Sequence, residues 1–319
     1  MGTDHTIKDN NVNPYKIENN LTQDDNFQLL LHNWNRWKNN LTIFLGAGAS
    51  YGALNGMGKY MPGGYELRNE LWTEFMLLDE QKKSFDFNNL GLLTLESAAA
   101  LAEIKSTRSD LEDFLEERFK IEKPLWQHAV LPYLKPKALF TTNYDDLIEL
   151  GWRISNNENQ LQPVFNDETS ELGNKYVPLY KPHGSVVYPH KKPGKGGLVI
   201  TQFDYFEVVE DRKAMVSQFI PNVKNNCVIF IGYGFNDFDI AAELYKIKKE
   251  QSGTKWFAVF PRNDSDVRRM LHDKYGIKQI NGTFYEFITA LDKAKEFIPD
   301  EWKFEKILKE LSSKLQGFD

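Results

Sequence analysis

The sequence predicts an α/β fold, a doubly wound parallel sheet with an inserted helical module. Two patterns support this prediction. From residue 138 onward, short apolar segments alternate with helix-length patterns, which is typical of strands joined by crossover helices. The apolar segments are continuous rather than alternating, as in strands that are buried on both faces of a sheet. Before them, residues 65–133 show apolar positions at helical spacing, which predicts the insert.

A flexible leader is predicted over residues 1–22, because this stretch is rich in Asn and Asp and lacks apolar periodicity. Asp24 and Asp25 then provide N-cap chemistry for a helix that leads to the first strand. The main domain is predicted over residues 23–300, followed by a C-terminal helix over residues 301–319. The apolar positions of the first helix recur at spacings of three and four: Phe27, Leu30, Leu31, Trp34 and Trp37.

The central stretch of the sequence is LTIFLGAGAS, residues 41–50, where an apolar strand runs directly into a Gly-Ala-Gly turn. Gly46 and Gly48 permit a tight turn and a close approach of the backbone to a ligand. Amides that face outward at the start of a helix bind anions such as pyrophosphate. The same glycines also suit a turn that only packs a strand against a helix. The Gly-rich segment 55–64 then predicts a loop long enough to fold over a bound ligand.

Strands and helices are predicted to alternate through the remainder of the chain. The predicted strands lie at 138–142, 177–181, 198–201, 227–231, 255–260 and 277–280. The predicted helices lie at 144–155, 203–222, 237–250, 264–275, 284–297 and 300–315. A segment rich in Gly and Lys, residues 189–197, is predicted to be a surface loop.

Composition limits the class of protein. The 319 residues, 41% hydrophobic and 13% aromatic, are typical of a globular protein with a full core. The N-terminus is polar where a signal peptide would be apolar, and no apolar run is long enough to span a membrane, so we expect a cytoplasmic protein. Cys227 is the single cysteine, and the histidines show no ligand spacing, so we expect no metal site. A net charge of −6 argues against direct, nonspecific nucleic-acid binding.

Polar motifs follow four of the predicted strands, at the carboxyl ends where an open parallel sheet places its ligand crevice. The motifs are GAGAS from Gly46, NYDD from Asn143, PHGS from Pro182 and GYGFND from Gly232. Each also has a simpler explanation. Asn143 and Asp145 suit helix caps, and His183 suits a turn beside a glycine. Gly232 and Gly234 suit a packing turn. Because four polar strand ends occur in a row, we favour a shared site.

The ordered set GAGAS, TTNYDDL, KPHGS and FIGYGFNDFD resembles the signature of the SIR2-like proteins, in particular the bacterial branch of NAD-degrading effectors in anti-phage defence. The resemblance covers about residues 41–260 and implies a Rossmann-type site with NAD as the substrate. It implies that Asn143 and His183 are catalytic and that Asp145 supports them. It also implies cofactor contacts from Gly46, Ala47, Gly48, Ser50, Thr142, Gly232, Gly234, Asn236 and Asp237.

For Asn236, Asp237 and Arg68, the sequence allows a second interpretation besides a contact with NAD. Arg68 is similar in position to a loop arginine that sirtuins place near the cofactor, and it also suits the surface of a helix. Asn236 and Asp237 are expected on the adenosine side of the ligand, and Asp237 also suits the cap of the helix that follows.

The sequence departs from the sirtuin deacylases in two respects. It lacks the four cysteines of their zinc ribbon, and TTNYD replaces their TQNID-type motif. Both departures disfavour peptide deacylation, because the zinc module in those enzymes helps to shape the acyl-lysine cleft. Neither departure changes the residues that the resemblance assigns to cleavage of nicotinamide.

The residue types fit cleavage of the bond between nicotinamide and ribose, which passes through an oxocarbenium-like state. Asn143 is a neutral donor and acceptor that can hold the ribose or a water molecule, and His183 can take a proton near neutral pH. Asp145 can orient either group or stabilise positive charge. We therefore expect hydrolysis of NAD to nicotinamide and ADP-ribose. The alternatives are a module that only binds NAD or ADP-ribose and, less favoured, a deacylase.

The resemblance also implies a role in abortive infection, in which NAD is depleted only after a phage has entered. An uncontrolled enzyme of this kind would kill its host, so a control element is required. We expect a homo-oligomer and a partner or sensor protein, for example a defence-system ATPase or a nucleic-acid-sensing protein. The helical insert is one expected contact surface.

Overall fold

The computed structural model describes residues 13–121, 124–165, 176–188, 190–251, 253–261 and 264–307. Most of the predicted leader, residues 1–12, lies outside the described residues, as do residues 308–319 of the predicted C-terminal helix. Pro189 of the predicted 189–197 loop lies outside them as well. Within the described residues, no helix is both long enough and apolar enough to cross a bilayer.

The described residues form a seven-stranded, all-parallel sheet. Its strands are β1 Leu41–Leu45, β2 Ala138–Thr141, β3 Leu161–Val164, β4 Val177–Tyr180, β5 Cys227–Ile231, β6 Trp256–Val259 and β7 Ile277–Ile280. Their order across the sheet is β3-β4-β2-β1-β5-β6-β7. Apart from the edge strand β3, this is the strand order of a doubly wound, Rossmann-like sheet, with the reversal of direction beside β1. The fold class predicted from the sequence is confirmed.

Helices cover both faces of the sheet. They are α1 Asp25–Trp37, α2 Gly64–Phe75, α3 Asp79–Lys82, α4 Leu95–Lys105, α5 Arg108–Phe119, α6 Trp126–Ala129, α7 Leu147–Ile154, α8 Gln202–Glu207, α9 Val209–Asn225, α10 Phe238–Glu250, α11 Ser265–Met270 and α12 Phe284–Lys295. Helix α1 begins where the sequence predicts, because the Asp24 carboxylate accepts the amides of Asn26 and Phe27.

Strand β1 shows how the continuous apolar pattern produces two cores. Leu41, Ile43 and Leu45 pack on one face against helices α1, α6, α7 and α12. Phe44 packs on the opposite face against α9 and α10. Since both faces are buried, every position of the strand is apolar except Thr42, whose hydroxyl accepts a hydrogen bond from Asn226 at 2.9 Å.

The helical insert forms a third core over the carboxyl end of the sheet. Leu67 and Leu71 of α2 pack with Leu111 and Leu115 of α5. Tyr144, which follows β2, joins the same cluster. The insert therefore lies against the loops in which the sequence predicts a site.

The sequence prediction omitted one strand and placed another where none forms. Strand β3 was not predicted, because it is short and contains Pro163, a residue found in sheets at edges. Residues 198–201 were predicted as a strand and are buried, but they have no regular secondary structure. Their backbone groups bond to other partners: the Leu198 carbonyl accepts from Arg108, and the Ile200 amide donates to Asp204. The predicted helix 203–222 is also divided, into α8 and α9.

Candidate active site

The glycine turn after β1 is packed directly against the turn after β5. The Gly46 amide donates to the Ile231 carbonyl and the Gly48 amide donates to the Gly232 carbonyl, both at 2.9 Å. A Cβ atom on Gly46 would lie 2.6 Å from the Cα of Tyr233. Gly232 has a φ of +59° and would also clash, at 2.3 Å from the Ala49 amide nitrogen. Glycine is therefore required here for packing, whatever else the turn does.

The helix expected after this turn is a single 3₁₀ turn, Ala47–Ser50. Its short length follows from the glycine-rich sequence beyond it, where Gly52 has a φ of +86°. The predicted loop 55–64 comes next and leads into α2. The Gly46 and Gly48 amides bond within the protein, so the anion site that the sequence suggests does not rest on these two groups.

Asn143, Ser50 and Asp145 form one hydrogen-bonded chain. The Asn143 Nδ2 donates to the Gly46 carbonyl and to the Ser50 Oγ, both at 3.0 Å. The Ser50 Oγ donates to the Asp145 Oδ2 at 2.8 Å. Because a carbonyl oxygen only accepts, the amide orientation is fixed, and the Asn143 Oδ1 is left pointing away from these partners. Asp145 thus supports Asn143 through Ser50 rather than by direct contact.

A buried lysine holds the Asp145 segment. The Lys181 Nζ donates to the backbone carbonyl of Asp145 at 2.8 Å and to the Ser185 Oγ at 3.0 Å. It also pairs with the Glu149 carboxylate at 2.8 Å. Burial raises the pKa of Asp145, and the positive charge of Lys181 and the Ser50 hydrogen bond oppose that rise. The first residue of the KPHGS motif therefore braces the loop after β2.

His183 lies on the other side of the same loop. Its Nδ1 bonds to the Thr142 carbonyl at 3.1 Å, and because that carbonyl only accepts, Nδ1 carries a proton. Its Nε2 lies 3.2 Å from the Asp237 Oδ1 and 3.3 Å from the Tyr205 hydroxyl. Gly184, which follows, has a φ of +72°, and a Cβ there would lie 2.0 Å from the Gly197 carbonyl oxygen. The glycine of the HG pair is therefore needed for the close approach of this turn to the Gly197 backbone.

A cavity of about 470 Å³ brings the predicted catalytic residues together, with Asn143, Asp145 and His183 on its wall. We call it the His183 cavity. A second cavity of about 690 Å³, the Phe260 cavity, lies at the ends of β5, β6 and β7. The glycine turn separates the two: Ala47 and Ser50 face the His183 cavity, while Gly48 and Ala49 face the Phe260 cavity.

The other predicted contacts divide between these two cavities. Ala47, Ser50, Arg68, Thr142, Asn236 and Asp237 line the His183 cavity. Gly48, Gly232 and Gly234 line the Phe260 cavity. Gly46 contributes its carbonyl, which holds Asn143.

Two expectations are corrected by this arrangement. Asn236 and Asp237, expected on the adenosine side, lie beside His183, because the turn after β5 passes through Phe235 at a φ of +57°. Asp237 precedes α10, but its side chain makes no capping hydrogen bond. Arg68 is not on a helix surface: it is buried, its guanidinium donates to the Leu93 carbonyl at 3.1 Å, and it lies over the Tyr65 ring.

Sequence reasoning missed four residues: Tyr205 and Gln127, which line the two cavities, and Arg212 and Lys181, which contact residues of the His183 cavity. Tyr205 and Arg212 lie in the helical region after residue 201, where no strand end marks them. Gln127 is buried on the wall of the Phe260 cavity, and its Oε1 has no hydrogen-bond partner among the described residues. Lys181 stands in a quoted motif, and a lysine at the end of an apolar strand, directly before PHG, was the available signal.

Comparison with known proteins shows which families and relatives this chain is similar to. Residues 137–280 match the family model described as a SIR2-like domain. The chain is 28% identical over 217 residues to the NAD(+) hydrolase ThsA of Enterococcus faecium, covering 66% of this chain and 40% of that protein. It is 22% identical over 293 residues to the NAD(+) hydrolase ThsA of Acinetobacter baumannii (strain 532279), covering 88% of this chain and 54% of that protein.

A third relative is the defense-associated sirtuin 2 of Bacillus subtilis, 24% identical over 155 residues, with 48% of this chain and 15% of that protein covered. The chain thus spans about half or less of the length of these relatives. A solved structure described as "Structural Basis for the Mechanism and Regulation of Sir2 Enzymes" aligns at a TM-score of 0.45 and 14% identity, over 86% of this chain and 98% of that one. Residues 137–280 are thus similar to a SIR2-like domain, and in the described residues they belong to a doubly wound parallel sheet.

Proposed function

We propose that the protein is an NAD glycohydrolase that cleaves the nicotinamide–ribose bond to give nicotinamide and ADP-ribose. The observation that supports this most directly is the His183 cavity, where a braced amide and a histidine face the same space. The similarity to two NAD(+) hydrolases points to the same substrate. A second cavity on the other side of the glycine turn provides room for the rest of a dinucleotide.

In this proposal NAD lies across the glycine turn. Nicotinamide and its ribose occupy the His183 cavity, the pyrophosphate crosses the turn, and the adenosine half occupies the Phe260 cavity. The buried Gln127 amide suits the adenine edge, which offers both a donor and an acceptor to a glutamine. Arg68, held against the Leu93 carbonyl, places a positive charge on the His183 cavity wall.

The chemistry follows from the groups around C1′ of the ribose. The bond from C1′ to the ring nitrogen breaks, its electron pair stays with nicotinamide, and the ribose becomes a cation. The Asn143 Oδ1 accepts a hydrogen bond from a ribose hydroxyl or from the attacking water. The water oxygen then bonds to C1′, and the His183 Nε2 takes the proton that the water gives up before releasing it to solvent.

A carboxylate on the cavity wall stabilises the positive charge that develops on the ribose. Glu96 lines the His183 cavity, and its negative charge favours the oxocarbenium-like state. Asp145 acts at a distance, because its carboxylate is engaged by Ser50 and the Leu147 amide.

We further propose that the protein acts in anti-phage defence, as the similarity to a defense-associated sirtuin suggests. Its activity then requires control by assembly into a homo-oligomer, by a partner or sensor protein, or by both. Because the chain spans only part of its relatives, that control can reside in a neighbouring polypeptide segment or a separate protein.

The test is release of nicotinamide from NAD by the purified chain, beside Asn143→Ala and His183→Ala, with NAD binding measured on each. We expect both variants to bind NAD and to lose release by at least about 10²-fold, the usual contribution of such groups. His272→Ala is the matched control, since that histidine is exposed and lines neither the His183 cavity nor the Phe260 cavity. If the wild type binds NAD yet releases no nicotinamide, a binding module is favoured over the hydrolase.

A further inference from the structure

We propose that Asp237 is the positioning residue of His183: its carboxylate orients the imidazole and stabilises the positive charge that the ring gains on taking a proton, while Arg212 holds the carboxylate in place. This inference rests on the proposed function, in which His183 is the proton acceptor. It assigns Asp237 to the reacting end of the substrate rather than to the adenosine end.

The imidazole is clamped between two acceptors on opposite edges. The Thr142 carbonyl binds Nδ1 at 3.1 Å, and the Asp237 Oδ1 lies 3.2 Å from Nε2. In the neutral ring, with the proton on Nδ1, the Nε2 lone pair faces the carboxylate oxygen, and this contact is repulsive. Once Nε2 gains a proton, the same contact becomes a charge-assisted hydrogen bond. Asp237 therefore favours the state that follows proton transfer.

The pair is shielded from water, which strengthens this effect. The His183 side chain is 8% exposed and the Asp237 side chain 17%. Burial by itself would raise the pKa of Asp237, but the His183 and Arg212 contacts outweigh burial and hold that pKa below its ordinary value. Asp237 is therefore ionised at neutral pH.

Arg212 lies near the same oxygen of the Asp237 carboxylate that contacts the histidine. Its Nη2 lies 3.6 Å from the Asp237 Oδ1, and its guanidinium carbon lies 4.6 Å above the Tyr205 ring. The Tyr205 hydroxyl contacts the His183 Nε2 at 3.3 Å. Tyr205 of α8 and Asp237 before α10 thus contact the same edge of the imidazole, and Arg212 of α9 contacts both of them.

Other charged and titratable groups face this cluster less closely. Glu96 of α4 lines the His183 cavity, as do Asp145 and Tyr144. Asp145 is bonded to Ser50, and the Tyr144 hydroxyl donates to the Val199 carbonyl at 3.1 Å. Asp237 is the carboxylate in direct contact with the imidazole among the described residues.

A capping role does not explain Asp237. The residue occupies the N-cap position of α10, where an aspartate commonly accepts an amide of the first turn, but its side chain makes no such bond. The left-handed conformation of Phe235, two residues earlier, turns the chain so that the carboxylate reaches His183 instead.

The first experiment is a double-mutant cycle on nicotinamide release, measured near pH 7 with Asp237→Asn, His183→Ala and the double variant. We expect Asp237→Asn to lower kcat by about 10- to 100-fold while KM changes by less than about threefold. In the His183→Ala background the same change should lower kcat no further, because the partner on which it acts is gone. Asp237→Glu should restore part of the lost rate.

Glu210→Gln is the matched control, because it changes an exposed, ion-paired carboxylate two residues before Arg212. We expect this variant to keep the kcat and KM of the wild type. Arg212→Gln should give a smaller loss than Asp237→Asn. If Asp237→Asn lowers kcat by the same factor with and without His183, or raises KM alone, Asp237 contacts substrate directly and the proposed role is overturned.

A second readout does not depend on activity, so it separates this inference from the proposed function. The same four proteins are unfolded in urea, and the unfolding equilibrium constants are combined in a cycle. For two independent substitutions, the change in the unfolding equilibrium constant of the double variant equals the product of the two single changes. We expect the measured value to differ from that product by about fivefold or more, as for residues in direct contact. A wild type without nicotinamide release would contradict the proposed function only, whereas independent effects on unfolding would contradict the His183–Asp237 pair.

Discussion

Ser50 is the residue on which the geometry of Asn143 depends. Its buried hydroxyl accepts a hydrogen bond from the Asn143 amide and donates one to the Asp145 carboxylate. The Asp145 carboxylate fixes the direction of the Ser50 hydroxyl, and the hydroxyl in turn fixes the orientation of the Asn143 amide. A serine inside a glycine-rich turn thus contributes to the proposed site through a single oxygen atom.

We therefore predict that Ser50→Ala lowers nicotinamide release without abolishing NAD binding. Loss of the link frees the amide, and a misplacement of about 1 Å costs roughly 10²-fold in rate. The variant should also be about 1–3 kcal/mol less stable, because the buried Asp145 carboxylate loses a donor. Steady-state kinetics and urea unfolding measure the two effects. Ser217→Ala, at an exposed serine of α9, is the control, and an equal loss in both variants would contradict the role of Ser50.

At the scale of elements, the sequence predicted the central strands best. The continuous apolar runs of β1, β5 and β7 mark strands buried on two faces, and each strand has the predicted bounds. The edge strand β3 could not be predicted, because an edge strand needs little apolar sequence and tolerates Pro163. Residues 198–201 are as apolar as a strand, yet Arg108, which is remote in sequence, and Asp204, which follows closely, take their backbone hydrogen bonds.

In the candidate site as well, the sequence predicted what depends on local motifs and did not predict what depends on the packing of the folded chain. The motifs at strand ends predicted which side chains meet, since parallel strands end at one edge of the sheet. They did not predict that Asp237 contacts His183 rather than the adenosine side, because that depends on the backbone turn at Phe235. The burial of Arg68 depends on how α2 packs over the cavity, which the pattern of α2 alone does not contain.

Helix α12 is tied to the segment before α1 by one carboxylate. The Glu286 Oε1 accepts the amides of Glu18 and Asn19, and the Oε2 accepts the Thr283 amide at 2.7 Å. Burial would raise the pKa of Glu286, but these donors outweigh it and hold the pKa below the ordinary value. Its stabilising contribution is therefore complete above about pH 4.5, the usual glutamate pKa. It is lost as the pH falls from there through the lower pKa of the folded protein.

We predict that Glu286→Gln destabilises the protein by about 1–3 kcal/mol at pH 7. The difference from the wild type should shrink as the pH falls below about 4.5, where the wild-type carboxylate takes up a proton. Urea unfolding at pH 7 and at pH 3.5 measures this change. Glu80→Gln, at an exposed position of α3, should show little effect at either pH. A Glu286→Gln deficit that is equal at both pH values would exclude the charge as its cause.

At the scale of the whole molecule, His128 links stability to pH. The residue is 1% exposed, its Nδ1 has no hydrogen-bond partner among the described residues, and its ring lies 5.3 Å from that of Phe284. Burial lowers its pKa to about 3. Between pH 6.5 and pH 3 the unfolded chain therefore binds a proton that the folded protein excludes, so acid destabilises the fold across this window.

We predict that the free energy of unfolding of the wild type falls with pH below about 6.5 more steeply than that of His128→Gln, by up to about 1.4 kcal/mol per pH unit. Urea unfolding at pH 7, 6 and 5 gives the two slopes, and comparing slopes removes any constant cost of the substitution. His272→Gln changes an exposed histidine and should keep the wild-type slope. Identical slopes for wild type and His128→Gln would refute the prediction.

The packing of the glycine turn against the end of β5 also bears on how variants of this protein are interpreted. There is no space for a Cβ atom at Gly46, Gly48 or Gly232. Replacing any of them therefore disrupts the packing between the ends of β1 and β5, whether or not substrate is bound. If the proposed function holds, a mutational survey scored by nicotinamide release alone would rank these positions beside Asn143 and His183. Measuring the amount of folded protein in the same survey would separate the two groups, since we expect the glycine variants to lose both quantities and the Asn143 and His183 variants to lose only nicotinamide release.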